Sequence, residues 1–379
     1  MSSNVIASLD SLFEEALKEG VFPGASLLVG SQGKVLYQGA WGRTRLDCGE
    51  PVKPDTWFDL ASCTKPLVTA SLCIRAVCMG KLRLDDPLSR FFSNAILPVS
   101  KRDITIRQLL SHSSGLPAYQ TYYLDLIRIP PPRRISTLLT WILEAPLVDP
   151  PGRVCRYSDL GFILLGMILE TAASMPLDEQ ASRFLFKPRG IEELAFCRLD
   201  AAFDPRIRPR IPSIEGRRFA ATENCPWRGR VLAGEVHDEN AYCLGGVSGQ
   251  AGLFGAAEGV FRWLSFLWRI HEGLETASPW SSSVVQEFWT KQGVGTECSW
   301  TLGFDTPSGP QSSAGVHFSP RTIGHLGFTG TSFWMDPERD VIVILLTNRV
   351  HPTRTNEKIK KFRPLLHNTV MESLHELTK

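Results

Sequence analysis

The chain has 379 residues, 43% of them hydrophobic and 21% charged, which supplies a large core and excludes an intrinsically disordered protein. A formal net charge of +2 gives no global case for a polyanionic partner. The one basic cluster, Arg206, Arg208, Arg210, Arg217 and Arg218, lacks interleaved aromatics and reads as a solvated loop, so no nucleic-acid partner is expected. Nine cysteines are scattered without a C-x-x-C pair, the pattern of free thiols in a reducing compartment.

In chain order, Val5, Ile6, Leu9, Leu12, Phe13, Ala16 and Leu17 recur at helical spacing, and Gly20 closes the helix. No basic n-region leads into an apolar h-region, and no apolar run reaches membrane length. A cytoplasmic chain without membrane contact is therefore expected, a periplasmic one if a leader has been removed. Residues 25–30 and 34–40 flank Ser31-Gln32-Gly33 as a hairpin. Asp59-Leu60-Ala61 leads into a segment, 62–79, that reads as one buried helix with Pro66 in its first turn. A short helix opens at Thr105, and apolar helices follow at 138–144 and 161–171, the second hydrophobic on nearly every face. From 187 to about 255 periodicity fades into Pro-, Arg- and Gly-rich sequence, which in a compact domain marks a lid or a functional segment. A helix returns at 258–271, strands at 331–335 and 341–347 flank a turn, and 357–377 forms a closing helix.

Strands from both ends then share one antiparallel sheet flanked by the terminal helices, and the middle forms a helical lobe. The expectation is an α+β chain forming a single domain over 1–379, with a sheet lobe of 1–58 and 295–379 and a mostly helical lobe of 59–294. Small-molecule sites form in clefts between such lobes, where the segment at Ser62 is expected to lie.

Ser62-Cys63-Thr64-Lys65 puts a hydroxyl and an ammonium three residues apart on one helical face. A Lys desolvated in an apolar setting, its pKa lowered by burial, activates such a serine; taken alone, the tetrapeptide reads first as a helix-capping Ser followed by a solvated Lys. Arg156-Tyr157-Ser158-Asp159 leads into the most apolar helix. Tyr157 there is either a proton relay or a core residue, and Asp159 either holds the Lys or caps the helix. In Gly324-His325-Leu326-Gly327-Phe328-Thr329-Gly330, small residues alternate along an extended segment. An N–H there and that of Ser62 suit an oxyanion hole, a Gly-rich bulge being the alternative. Gln250 reads as a cleft-lining residue or a core turn. Glu223, Cys225, His237 and Asp238 are metal ligands by type, but their spacing fits no standard zinc pattern, so no metal or cofactor is expected.

The ordered trio Ser62-x-x-Lys65, Tyr157-x-Asp159 and His325-x-Gly327 resembles the serine β-lactamase and penicillin-binding protein superfamily, in its class C β-lactamase, D-alanyl-D-alanine carboxypeptidase and esterase branch. The flanking phrases LLSHSSGLP, RYSDLGFILLG and GHLGFTGTSFWMDP agree with it. The resemblance implies a β-lactamase/transpeptidase-like fold and an acyl-enzyme on Ser62. Lys65 and Tyr157 become the proton-transfer pair, and the N–H groups of Ser62 and Phe328 the oxyanion hole. Asp159, His325, Gly327 and Gln250 become substrate-binding residues. His325 stands where the family's third motif has Lys, and Asp159 where the second has Asn. With an imidazole titrating near about 6.5 in place of a fixed cation, β-lactamase activity is expected to be weak at most, and carboxylated substrates to gain as His325 charges between pH 8 and 6. The expected partner is a small ester, amide or peptide, with no assignable oligomeric state. Two alternatives stay open: a catalytically idle penicillin-binding or sensor-type protein, and a metal-dependent hydrolase built on His237 and Cys225.

Overall fold

A computed structural model describes residues 3–31, 33–93, 96–199, 216–295 and 298–377. The elements that frame the site are, in chain order, α1 (Ser3–Lys18), β1 (Gly24–Ser31), β2 (Lys34–Gly42), α2 (Ser71–Cys78), α3 (Ile106–Leu110), α4 (Asp159–Ala173), α5 (Ala257–His271), β3 (Ile323–Leu326), β4 (Ser332–Asp336), β5 (Val341–Thr347) and α6 (Ile359–Leu377). The amphipathic N-terminal spacing forms α1, and Gly20, at φ 66°, ends it as a left-handed stop.

The two ends of the chain meet in one antiparallel sheet of order β2-β1-β5-β4-β3. Ala25 stands opposite Thr347 and Gly30 opposite Ile342, so the first and last strands are neighbours. All seven residues of β5 are buried because helices cover both faces, which is why the strand reads as a continuous apolar run instead of alternating. On one face Leu27, Val29, Val343 and Leu345 pack with Leu9 and Phe13 of α1 and Phe362 and Leu366 of α6. On the other, Leu28, Ile342 and Ile344 join a larger core containing Val260 and Leu264 of α5 and the whole apolar stretch of α4. The hairpin, the helices and the β4–β5 turn expected from sequence are present; Gln32 of the first turn lies outside the described residues.

Three features differ from expectation. The segment from 59 to 79 is broken into a 3-10 turn (Ala61–Cys63), a π-turn (Lys65–Ala70) and α2, because Pro66 supplies no N–H and the Ser71 hydroxyl bonds Pro66 O at 2.8 Å. The irregular segment is partly ordered: Leu194–Phe196 and Phe58–Asp59 flank Leu253–Gly255 in a small sheet, and Asp238 caps a helix over Glu239–Cys243. Cys155 and Cys298, 143 residues apart, form a disulfide, while the other seven cysteines are free. The pairing brings together residues that no sequence spacing links. Of the basic cluster, Arg206, Arg208 and Arg210 lie outside the described residues; Arg218 is paired with Glu50 and Asp55, and Arg217 covers the Trp57 ring. Among the described residues no single helix is long and apolar enough to cross a membrane.

Candidate active site

Ser62 sits on a tight backbone device. The Asp59 carboxylate accepts the Ala61 N–H at 2.8 Å and the Thr64 hydroxyl donates to Ala61 O at 2.6 Å, holding Ala61 at φ 46°. A left-handed non-Gly residue costs about 1–3 kcal/mol, and this one lies immediately before the candidate nucleophile. The following turn directs Lys65 back beneath Ser62, so that Lys65 Nζ lies 3.0 Å from Ser62 Oγ, 3.0 Å from Gln250 O and 2.6 Å from Asp159 Oδ1. Gln250 O reaches Lys65 because its neighbour is Gly249: a Cβ there would stand 2.0 Å from Phe162 O, so only glycine lets this backbone lie on α4.

Tyr157 is held by the phrase around His112. Arg156 N donates to His112 O at 2.8 Å, and Ser158 N donates to His112 Nδ1 at 3.1 Å, which leaves the ring proton on Nε2. Ser158, not Asp159, caps α4 with its hydroxyl, and Asp159 occupies the first helical position with its carboxylate on Lys65. The rings of His112 and Trp300 lie 4.6 and 5.3 Å from that of Tyr157, with His325 at 6.1 Å. The Cys155–Cys298 bridge ties together the chains that carry Tyr157 and Trp300.

β3 supplies the third wall. Gly327 is required because a Cβ there would fall 2.0 Å from Thr331 Oγ1 and 2.8 Å from Leu60 O. Phe328 follows, 49% exposed at the mouth, with Arg349 over its ring. Ser62, Tyr157, Asp159, Gln250 and Phe328 thus line one cavity of about 350 Å³, closed on its other sides by Tyr119, His237, Asp238, Glu239 and Arg354. A second cavity, of about 340 Å³, lies behind α4 against Met167 and Arg198 and contains none of the motif residues.

The electrostatics correct two expectations. Burial does push Lys65 toward its neutral form, but the Asp159 carboxylate and the Tyr157 hydroxyl outweigh it and raise the pKa to about 12. The direction is opposite to the lowered pKa expected from burial alone, and the Asp159 carboxylate favours the ammonium form of Lys65. Burial raises Tyr157 to about 12 as well, against the opposing Lys65 charge. His325 is 2% exposed, and burial together with the Lys65 charge lowers it to about 3. Its Nδ1–H donates to Leu326 O at 2.8 Å and its Nε2 has no hydrogen-bond partner among the described residues, so the ring stays neutral between pH 8 and 6 and cannot drive the expected pH-dependent grip on carboxylates.

Of the group Glu223, Cys225, His237 and Asp238, Cys225 is a buried free thiol and the other three are engaged in hydrogen bonds and ion pairs. Arg354 grips both Glu223 and Glu239, His237 Nε2 lies 3.2 Å from Glu223, and Asp238 accepts from Ala241 N and Gln250 Nε2. No three His, Cys, Asp or Glu side chains among the described residues converge as a metal set would. Sequence reasoning passed over His112, Trp300, Tyr119, Glu239 and Arg354. Only His112 left a signal, in the phrase LLSHSSGLP; Arg354 reaches Glu223 across 131 positions with no local pattern.

A five-stranded antiparallel sheet carrying both chain ends, with a Ser-x-x-Lys turn and a Tyr-bearing helix entry meeting in a cleft beside its edge strand, is the β-lactamase/transpeptidase-like fold. The chain belongs to the Beta-lactamase family, whose model matches residues 9–366. A Salmonella typhimurium protein named "Putative D-alanyl-D-alanine carboxypeptidase" is 29% identical over 94% of this chain and 85% of its own length. Two solved structures share the fold. The octameric penicillin-binding protein homologue from Pyrococcus abyssi superposes with TM-score 0.70 at 21% identity, covering 95% of this chain and 77% of that one. EstCE1, described as a hydrolase with promiscuous acyltransferase activity, superposes with TM-score 0.66 at 22% identity, covering 95% and 98%. Family and relatives are serine β-lactamase-fold hydrolases.

Proposed function

We propose that the chain is a serine hydrolase that cleaves an ester or amide through a Ser62 acyl-enzyme, in the manner of a carboxylesterase or D-Ala-D-Ala carboxypeptidase, with β-lactamase activity weak at most. The observation that carries this reading is Lys65 Nζ, 3.0 Å from Ser62 Oγ and ion-paired with Asp159 Oδ1 at 2.6 Å, beside a cavity lined by Ser62 and Asp159. As Ser62 Oγ bonds to the substrate carbonyl carbon, its proton passes to Lys65 Nζ while Lys65 passes one to Asp159, so the ammonium is preserved. The N–H groups of Ser62 and Phe328 receive the oxyanion, and the Tyr157 hydroxyl protonates the leaving group. Water then attacks the acyl carbonyl by the same route in reverse.

Esters are favoured over carboxylated peptides for two reasons. His325 brings no positive charge, and Arg354, the only cationic side chain among those that line the cavity, is already held by two carboxylates. The test is a panel of p-nitrophenyl esters, a D-Ala-D-Ala peptide and a chromogenic cephalosporin with wild type and Ser62→Ala. Ester turnover that vanishes in the variant is expected, and turnover that survives it overturns the reading.

A further inference from the structure

The wall facing the nucleophile is richer in negative charge than its own pairing needs. Asp159, Asp238 and Glu239 line the cavity, with Arg354 as the one cation on the wall. Lys65 answers Asp159 from below, and Arg354 is shared between Glu239 and Glu223. Among the described residues Asp238 makes no ion pair, and the Lys65 charge that reaches it is outweighed by burial and the neighbouring carboxylates. Both hydrogen bonds to its carboxylate, from Ala241 N at 2.7 Å and Gln250 Nε2 at 3.2 Å, fall on Oδ1.

A second, independent feature lies beside it. Gln250 is 1% exposed on the cavity wall, and its Nε2 is fixed by Asp238, which turns Oε1 the other way. That oxygen has no hydrogen-bond partner among the described residues, a buried acceptor waiting for a donor. The rings of Tyr119, Tyr157 and Phe328 complete the lining, and aromatic faces attract cations. Burial first, then the nearby charges of Asp159 and Glu239, raise Asp238 to about 6, and the same carboxylates help raise Tyr119; both are what a surplus of negative charge does to its neighbours.

We infer that this cavity takes a substrate carrying an ammonium group, held by Asp238 with Gln250 and the surrounding rings, while its ester or amide carbonyl sits at Ser62. The inference rests on the hydrolase reading above and narrows it to aminoacyl or amino-alcohol compounds. A bound ammonium supplies both the positive charge that Asp238 lacks and hydrogen-bond donors for acceptors on the wall.

The test uses pairs that differ in charge and scarcely in shape. Alanine p-nitroanilide is set against 2-methylpropanoyl p-nitroanilide, and S-(2-dimethylaminoethyl) thioacetate, protonated at neutral pH, against S-(3-methylbutyl) thioacetate, so that the cation lies on the acyl side in one pair and the leaving side in the other. In at least one pair, kcat/KM should favour the cation about tenfold, and the preference should fall to within about threefold in Asp238→Asn, which keeps the helix cap. Neutral members used as well or better in both pairs, or a preference untouched by Asp238→Asn, overturns the inference. A turnover-free arm separates its failure from that of the hydrolase reading: in Ser62→Ala, n-butylammonium should raise Tm by about 1 °C more than 1-butanol at equal concentration, and not in Ser62→Ala/Asp238→Asn. Equal shifts from the two additives overturn the inference whatever the activity.

Discussion

The floor and the far wall of the cavity are built by opposite means. The floor joins two short-spaced pairs, Ser62 with Lys65 three residues on and Tyr157 with Asp159 two residues on, and closes the polar contacts of Lys65 inside apolar packing. The wall of Glu223, His237, Asp238, Glu239 and Arg354 is assembled across more than a hundred positions by carboxylates that share one guanidinium. Lys65 of the floor is fully enclosed, whereas Asp238, Glu239 and Arg354 of the wall line the cavity. Chemistry is thus assigned to the first region and selectivity to the second, and substitutions in the two should separate kcat from substrate preference.

The largest effect belongs to the floor. Lys65→Ala should lower kcat by about 10² or more with a smaller change in KM, measured on whichever ester of the panel is turned over fastest. A folded variant that keeps near-wild-type kcat would remove Lys65 from the proton path.

The same contrast explains what was legible in the sequence. The sheet, its two covering helices and the motif residues were readable because period, turn chemistry and short spacing report local geometry. The run 341–346 is apolar throughout because it is buried on both faces, and Ser62-x-x-Lys65 is itself the contact. The charge state of Lys65 was not readable, since it depends on a carboxylate 94 positions away that overrides burial. Nor was that of His325, an ordinary imidazole on paper and a buried one in the fold. The Cys155–Cys298 bridge and the Arg354 network join residues with no shared pattern.

A second prediction sharpens the division inside the floor. If Asp159 is the terminal proton acceptor, Asp159→Asn should lower kcat at pH 7 by about tenfold or more. Because Asp159 raises Lys65, its loss also lets Lys65 lose its proton at lower pH than in wild type, so the residual activity should climb steeply toward alkaline pH. Unchanged or higher activity at pH 7 would mean that Lys65 works as a free base.

A third prediction separates the wall from the floor by pH. Burial and the charges of Asp159 and Glu239, opposed by that of Lys65, push Asp238 up to about 6, and Arg354 and His237 also line the cavity. The preference for a cationic over a neutral ester should weaken as pH falls through that value, persist as a pH effect in His325→Gln and disappear in Asp238→Asn. The opposite assignment, with the effect lost in His325→Gln, would return the imidazole to substrate recognition.

The smallest effect concerns stability. His325 has a depressed folded pKa, so the unfolded chain binds its proton more readily. Its contribution is fully present above the unfolded value near 6.5 and is lost as pH falls toward about 3. Buried His112 and His367, also lowered, act in the same direction. The fall in Tm from pH 7 to pH 4 should therefore be shallower in His325→Gln than in wild type, without vanishing. An identical slope would mean that the ring is not held neutral by the fold.

The central claim, that Ser62 is the atom on which acyl transfer occurs, is tested most directly by labelling with a fluorophosphonate probe followed by peptide mass mapping. The account predicts a single adduct on the peptide containing Ser62, absent in Ser62→Ala and strongly slowed in Lys65→Ala. An adduct on another residue, or one that persists in Ser62→Ala, would contradict it.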